Sequence, residues 1–352
     1  MKHLWMALFV LALNLAAGTV QAEKLRIISW ADYVPADLIA AFKKETGIDV
    51  ELTLSNNEEI ISKLRATGGA GYDLAQPSQD RIVSAQREFG IYKPIDLTKI
   101  KLEEFQPQFL DIVRKNTSLD GKVYGLPYLW GTDGLVVNVK RSKIADYSDL
   151  CRADLKGKTA IRLRRPTLMA FAFAAGKDPF ALYADPKAYS ALMDQVGAAL
   201  IACKANFKFF YDNKDQLLNG IRSGEVVAAM MWDSGGWTLN RENPDIQFIV
   251  PRSGALGWLD TFALPARGKN DAAAYAWINF AMRPENAARV VKSVGSFSTA
   301  MHTDPLIDPR LKAQFALAFP NNDLKSIHWY PAIPAGLEEI EGKVLDRVKA
   351  AN

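Results

Sequence analysis

Several short segments of the chain combine a tryptophan or tyrosine with an aspartate. They are residues 30–33, 128–133, 232–237 and 258–260, and they contain five of the chain's eight tryptophans. The face of an aromatic ring attracts an organic cation, and a carboxylate pairs with the N–H groups of the same cation. The segments therefore predict a binding site for a small amine.

A core position is the alternative for each aromatic residue taken alone, because tryptophan is highly buried on average. Recurrence of the pattern at successive predicted strand ends favours binding. Trp258 and Asp260 add a geometric argument, since residues two apart on a strand point to the same face of the sheet. We expect these two side chains to act together.

Residues 24–75 have the pattern of a β-α-β-α-β unit. Alternating apolar residues predict strands at 24–29, 49–54 and 72–75, with a helix in each interval. Asn56 or Asn57 is a suitable N-cap for the second helix. Such a unit forms a parallel sheet, and ligands bind beyond the carboxyl ends of its strands.

The same alternation of strands and helices returns later in the chain. No long linker divides the chain, so it is predicted to cross more than once between two α/β lobes. The later predicted strands are 135–138, 159–162, 207–211 and 226–231, and the later helices are 185–200, 214–223 and 270–282.

The N-terminus has the features of a secretory signal peptide. Lys2 precedes an almost purely apolar run at residues 4–17, and small residues stand before a cleavage point after Ala22. A membrane anchor is the alternative, but a spanning helix needs about 20 apolar residues. We expect a periplasmic mature protein. The formal net charge of +4 gives no support to binding of nucleic acid or an acidic membrane.

The two cysteines and three histidines limit the chemistry. In an oxidising compartment Cys151 and Cys203 are expected to form a disulfide; two separate buried thiols are the alternative. So few histidines and cysteines argue against a metal centre, and we expect neither a metal nor a cofactor. The serine-hydrolase, zinc-protease and P-loop motifs are absent, which argues against an enzyme. A metal-binding transport protein is a second alternative.

The sequence as a whole resembles a known family. The order of its motifs is similar to that of the spermidine/putrescine-type periplasmic solute-binding proteins of ABC transporters. The segments that carry the likeness are 29–35, 72–74, 77–78, 126–132, Trp232, 258–260 and 262–263.

The resemblance implies an α/β, two-lobed periplasmic binding protein fold of type II, in which each lobe is a mostly parallel sheet flanked by helices and the ligand lies in a cleft between the lobes. Residues 23–134 with about 256–302 would form the first lobe, and 135–255 with about 303–352 the second. It also implies a monomer that closes on its ligand and presents it to an inner-membrane permease.

The resemblance further assigns roles to individual residues. Trp30, Asp32, Tyr33 and Ser78 match ligand contacts of the first lobe. The aromatic walls of the site match Trp232 and Trp258, and the carboxylate that pairs with a ligand ammonium matches Asp260.

Three departures from the family pattern concern the other end of the ligand. Residues 162–168 contain three arginines where polyamine binders have acidic residues. Gly235 stands where a second carboxylate is often found, with Asp233 nearby in another register. Ser298 replaces a late tyrosine.

These departures suggest a zwitterionic ligand. Asp260 would bind its amine, and Arg164 or Arg165 would bind its carboxylate. The expected ligand is then an ω-amino acid such as 4-aminobutyrate or 5-aminovalerate. The alternative is a polyamine, putrescine or spermidine. In that case the arginines face solvent, and Asp32, Asp80 or Asp233 supplies the second negative charge.

Overall fold

The computed structural model describes residues 24–320 and 324–351, so the predicted signal peptide and its cleavage point lie outside the described residues. The strands are β1 (Lys24–Ser29), β2 (Asp49–Leu54), β3 (Leu74–Ala75), β4 (Tyr92–Lys93), β5 (Ser118–Leu119), β6 (Lys122–Val123), β7 (Leu126–Asn138), β8 (Thr159–Ile161), β9 (Phe207–Phe210), β10 (Ala228–Trp232), β11 (Ile246–Ile249), β12 (Ala255–Phe262), β13 (Leu264–Pro265), β14 (Phe297–Ser298) and β15 (Ile327–Trp329). The α-helices are α1 (Ala36–Thr46), α2 (Asn57–Thr67), α3 (Ile82–Phe89), α4 (Pro107–Thr117), α5 (Arg165–Ala174), α6 (Pro186–Ala202), α7 (Lys214–Arg222), α8 (Asp233–Glu242), α9 (Asp271–Ala281), α10 (Pro284–Val294), α11 (Pro309–Ala318) and α12 (Leu337–Ala350).

The N-terminal β-α-β-α-β unit is present as the sequence predicts. Its three strands form a parallel sheet in the order β2-β1-β3. Asn56 is the N-cap of α2, and its side chain accepts a hydrogen bond from the backbone N of Glu59 at 3.0 Å. Helix α1 ends at Gly47, whose φ of 76° is a left-handed conformation that glycine adopts without strain.

The larger sheet is mixed rather than mostly parallel. Its order is β15-β12-β7-β10-β8-β9, and β11 and β14 also pair with β7. Strands β8, β9 and β10 are parallel to their neighbours in this group, whereas β7 is antiparallel to β10, β11, β12 and β14. The sheet is mixed because β7 runs opposite to four strands that pair with it, and its 13 residues are long enough to offer pairing positions to all of them.

Strands β7 and β12 cover the points at which the chain is predicted to cross between lobes, at residues 134 and 256. Because the two strands pair with each other over most of their length, a continuous ribbon joins the two halves. The exact residue bounds of the lobes stay a prediction.

The disulfide between Cys151 and Cys203 is confirmed, with a Cα–Cα distance of 5.1 Å. It joins the segment before β8 to the C-terminal end of α6. On the chain-entropy account, a link across a sequence separation of 52 restricts the unfolded chain by about 4 kcal/mol.

Residues 77–81 link the smaller sheet to the C-terminal part of the chain. The side chain of Gln79 donates to the carbonyl of Tyr330 at 3.1 Å, and the backbone N of Ile333 donates to the carbonyl of Asp80 at 3.1 Å. Arg81 forms an ion pair with Glu338 on α12. These bonds close one side of the molecule, where a cavity of about 460 Å³ lies between α2 and α12.

None of the helices within residues 24–320 and 324–351 has both the length and the apolar character that a membrane span requires.

Candidate functional site

One face of the β7–β12 ribbon forms the floor of the candidate site. In the observed register, Gly131 pairs with Trp258, Leu129 with Asp260, and Asp133 with Trp232 of β10. Paired residues of antiparallel strands point to the same face. Trp258 and Asp260 therefore share one face, as the alternation predicts, and Asp133 and Trp232 lie on it with them.

The Asp260 carboxylate is held by two hydroxyl groups from the N-terminal part of the chain. Tyr33 donates from its phenol to one carboxylate oxygen, and Ser78 Oγ donates to the other at 2.5 Å. Asn57 in turn donates to Ser78 Oγ at 2.9 Å. Burial raises the pKa of Asp260 to about 7, although both hydroxyl hydrogen bonds oppose the rise. The two hydroxyls orient the carboxylate, and a cation beside it would stabilise the ionised form that burial disfavours.

Trp258 lies directly over Gly131. A Cβ atom at Gly131 would come within 2.4 Å of the Trp258 ring. The ring can lie here only because residue 131 is a glycine. The indole is half-buried, and its Nε1 is buried without a hydrogen-bond partner among the described residues. The ring is therefore a flat apolar surface with one unused donor.

Of the three residues predicted in the segment after β1, the structure brings Tyr33 to Asp260 and places Trp30 beside Tyr33, whereas Asp32 is exposed. Trp30 donates from Nε1 to the carbonyl of Gln76 at 3.0 Å, and its ring centroid is 6.4 Å from that of Tyr33. Asp32 has a φ of 69° and an exposed side chain. The left-handed conformation of Asp32 carries the chain from the half-buried Trp30 to the buried Tyr33, and aspartate tolerates it better than most residues.

Asp233 begins α8 and is 1% exposed. Its carboxylate accepts hydrogen bonds from the backbone N of Thr132 at 2.7 Å and from Ser296 Oγ at 3.1 Å. Burial raises the pKa of Asp233 to about 6, with these hydrogen bonds acting in the opposite direction. Asp233 therefore fixes the position of β7 against α8 and adds negative charge to the site.

Asp133 is a third buried carboxylate, at 6% exposure. Among the described residues no donor bonds to its carboxylate, although its backbone carbonyl accepts from Tyr147 at 2.8 Å. Burial raises the pKa of Asp133 to about 7; Arg162 opposes this rise, whereas Asp233 and Asp260 add to it. Asp233 and Asp260 are both close enough to repel an ionised Asp133, which favours a cation near it.

The arginine run is divided among three environments. The Arg162 guanidinium lies 4.9 Å from the ring centroid of Trp232, and its Nε is buried with no partner in residues 24–320 and 324–351. Arg164 is half-exposed and pairs with Asp212 at 3.2 Å.

Arg165 is 5% exposed and donates to Glu341 at 3.1 Å, to Asp80 at 3.0 Å and to the phenol of Tyr183. The predicted carboxylate-binding arginines, Arg164 and Arg165, are therefore both engaged with protein carboxylates. The three arginines do not lie on one strand, because β8 ends at Ile161 and α5 begins at Arg165.

Three other candidate residues, Ser298, Trp130 and Trp237, are buried against other parts of the protein. Ser298 is buried on β14, where its Oγ accepts from the backbone N of Ala300 at 3.1 Å. Trp130 stacks on Phe297 with ring centroids 5.0 Å apart, and Trp237 is 1% exposed. For Trp130 and Trp237 the core interpretation is the correct one.

Sequence reasoning did not single out Asp133 or favour Arg162. The local signal for Asp133 is its position two residues after Gly131 on a strand, which places both on one face. Its pairing with Trp232, about 100 residues away, depends on sheet register that no local pattern specifies.

Within the described part of the chain, histidine, cysteine, aspartate and glutamate side chains form no group that could hold a metal ion.

Comparisons with known proteins identify the family and the fold. A family model described as "Bacterial extracellular solute-binding protein" matches residues 37–309. The chain is 26% identical over 323 residues to the putrescine-binding periplasmic protein PotF of Escherichia coli (strain K12), covering 84% of each protein.

Two solved structures share the fold. A putative spermidine/putrescine ABC transporter protein from Listeria monocytogenes superposes with a TM-score of 0.81 at 24% identity, over 94% of this chain and 100% of that one. The Atu4243-GABA receptor does so with a TM-score of 0.71 at 18% identity, over 93% of this chain and 97% of the other. The expected fold, a two-lobed periplasmic binding protein of type II, is thus confirmed.

Proposed function

Because the chain belongs to the family of bacterial extracellular solute-binding proteins, we propose that it binds a diamine of the putrescine class in the periplasm and delivers it to an inner-membrane ABC permease. The family supplies the general role, which is that of the substrate-binding component of an ABC importer. The ligand class and the site residues are our proposal. We also propose that the protein acts as a monomer.

The observation that carries the proposal is the charge of the site. Asp133, Asp233 and Asp260 are buried together, and Arg162 is the guanidinium that acts on Asp133. When the carboxylates are ionised, the four groups carry a net charge of about −2, which a dication neutralises. A ligand with no net charge leaves two buried negative charges without compensation.

Ligand capture follows from where the contacts originate. Tyr33, Ser78 and Asp260 form one wall, and Trp232 with Arg162 belongs to the part of the larger sheet built on β8 and β10. A ligand that contacts both parts stabilises the closed arrangement by its differential affinity for it. Residues 77–81 connect ligand binding to closure, since Ser78 contacts Asp260 in the site and Asp80 contacts Arg165 on α5.

The test is calorimetric titration of the ligand-stripped protein with putrescine, cadaverine, spermidine, 4-aminobutyrate and 5-aminovalerate. We expect tight binding of the diamines. Asp260→Asn and Trp258→Ala should each weaken that binding at least tenfold, because they remove a charge partner and the apolar surface for the alkyl chain. Glu45→Gln, in the exposed ion pair with Arg283, is the matched control and should bind as the unmodified protein does. Unchanged binding by both site variants would contradict the assignment.

An ω-amino acid is the second candidate, and Arg162 is the observation that favours it. Its guanidinium has a buried Nε with no partner in the described chain, and guanidinium groups bind carboxylates well. In the same titrations, tight binding of 4-aminobutyrate or 5-aminovalerate with weak binding of diamines would establish this candidate in place of the first.

A further inference from the structure

We propose that Asp133 receives the second ammonium group of the ligand and that Arg162 limits the ligand to two positive charges. This assignment rests on the proposed function and deepens it, because it names the residues that set ligand length and charge.

Three side chains form a line along the floor of the site. Asp260 pairs with Leu129, Trp258 with Gly131, and Leu256 with Asp133, without a register shift between them. Leu129 and Asp133 are four residues apart, so the Cα positions at the two ends of this line are separated by about 14 Å along the strand. The side chains along it follow the order carboxylate, aromatic ring, carboxylate.

The middle of the line suits an alkyl chain. Gly131 has no side chain, and the Trp258 ring occupies the space above it. The half-buried ring offers an apolar surface midway between the two carboxylates. A diamine has the matching order of ammonium, methylene chain and ammonium.

The Asp133 carboxylate is free to accept hydrogen bonds from a ligand. The Asp260 oxygens each accept a protein hydrogen bond and Asp233 accepts several, whereas the Asp133 carboxylate accepts none from residues 24–320 and 324–351. A buried carboxylate without donors is costly unless a partner neutralises it. Arg162 acts on it electrostatically, and a ligand ammonium would supply the missing hydrogen bonds.

Arg162 lies at the Asp133 end of the line. Its guanidinium packs on Trp232, which is the cross-strand partner of Asp133. A ligand that continues beyond Asp133 with a further ammonium meets a fixed positive charge. Like charges that lie close together repel strongly in a poorly solvated site. Triamines such as spermidine are therefore selected against.

The first arm of the experiment compares putrescine with butylamine, which has one ammonium. Asp133→Asn should weaken putrescine binding at least tenfold and change butylamine binding less than threefold, whereas Asp260→Asn should weaken both. Equal losses for putrescine and butylamine in Asp133→Asn, or no loss for putrescine, would overturn the assignment. Circular dichroism of each variant checks that it is folded.

The second arm compares spermidine with putrescine. Arg162→Gln should raise the affinity ratio of spermidine to putrescine at least tenfold, and Arg162→Lys, which keeps the charge, should leave the ratio within threefold. Arg164→Gln is the matched control two residues away, since its partner is the exposed Asp212. An unchanged ratio in Arg162→Gln would overturn the role of Arg162. Failure of the unmodified protein to bind any diamine would instead overturn the proposed function.

Discussion

Arg162 and Arg165 lie three residues apart, yet their surroundings differ in kind. Arg165 is in the first turn of α5 and is bound by two buried carboxylates, Asp80 and Glu341. Arg162 follows β8 and has an aromatic ring beneath it and an unused buried donor. A guanidinium whose donors are satisfied by protein carboxylates holds the structure together. Arg162 has no such carboxylate partner in the described part of the chain, which leaves its charge free to act on a ligand in the site. The change from strand to helix within three residues separates the two roles.

The largest expected effect is the loss of stability in Arg165→Met. Removing this guanidinium leaves Asp80 and Glu341 buried without their cation, and breaking a buried ion pair from one side costs about 3–5 kcal/mol. Burial already raises the pKa of Asp80, and Arg165 opposes that rise. Urea denaturation measures the change in the free energy of unfolding. A loss below about 1 kcal/mol would remove the distinction between the two arginines.

The next effect is the pH dependence of ligand affinity. In the ligand-free protein the pKa values of Asp133 and Asp260 are about 7, and that of Asp233 is about 6. An ammonium group binds the ionised carboxylate, so protons must leave before a diamine binds. Affinity should therefore rise with pH, by about tenfold between pH 6 and pH 8 for each of Asp133 and Asp260 that contacts the ligand.

Calorimetry at the two pH values measures this change, and titration in buffers of different ionisation enthalpy counts the protons released. The phenols of Tyr33, Tyr211 and Tyr330 also face these groups, but their pKa values are raised above 10 and they stay neutral in this range. A constant affinity between pH 6 and pH 8 would contradict the role of the carboxylates.

A smaller effect is expected for the stability of Arg162→Gln. The stacking of a guanidinium on a partly buried ring is worth about 1 kcal/mol. Arg162 acts on Asp133 electrostatically but forms no direct ion pair with a carboxylate of the described residues, so the unfolding free energy should fall by about that amount. A loss as large as that of Arg165→Met would mean that Arg162 is also a structural residue.

The smallest effect is expected for Arg164→Gln. Its ion pair with Asp212 is solvent-exposed on both sides, with 46% and 81% of the side chains accessible. Exposed pairs contribute about 0.5 kcal/mol. Unfolding and ligand binding should both match those of the unmodified protein, and a loss above about 1 kcal/mol would show a buried role that the exposure does not indicate.

Local patterns predicted the parts of the fold that depend on neighbouring residues. The strand at 24–29 and the Asn56 cap both follow from alternation and capping within a few residues. The mixed sheet was not predicted, because the partners of β7 come from segments up to about 170 residues away. No local signal specifies which strands meet there.

The site divides in the same way. Alternation placed Trp258 and Asp260 on one face. The family resemblance named Tyr33 and Ser78 as ligand contacts, and the structure adds that both donate to Asp260. Asp133 could not be identified in this way because its significance comes from the pairing with Trp232. The choice among the arginines required the position at which β8 ends, and helix and strand bounds are uncertain by a few residues when inferred from sequence.

The three half-buried tryptophans around the site also have a spectroscopic consequence. Trp30, Trp232 and Trp258 lie near Tyr33, Arg162 and Gly131, respectively, whereas Trp130, Trp237 and Trp277 are buried in the core. A bound ligand changes the solvent exposure and local electric field of the first group and leaves the core indoles as they are. Intrinsic fluorescence of the unlabelled protein should therefore report ligand occupancy through a change in intensity and emission wavelength. Trp258→Phe would remove the part of that signal that originates at the floor of the site.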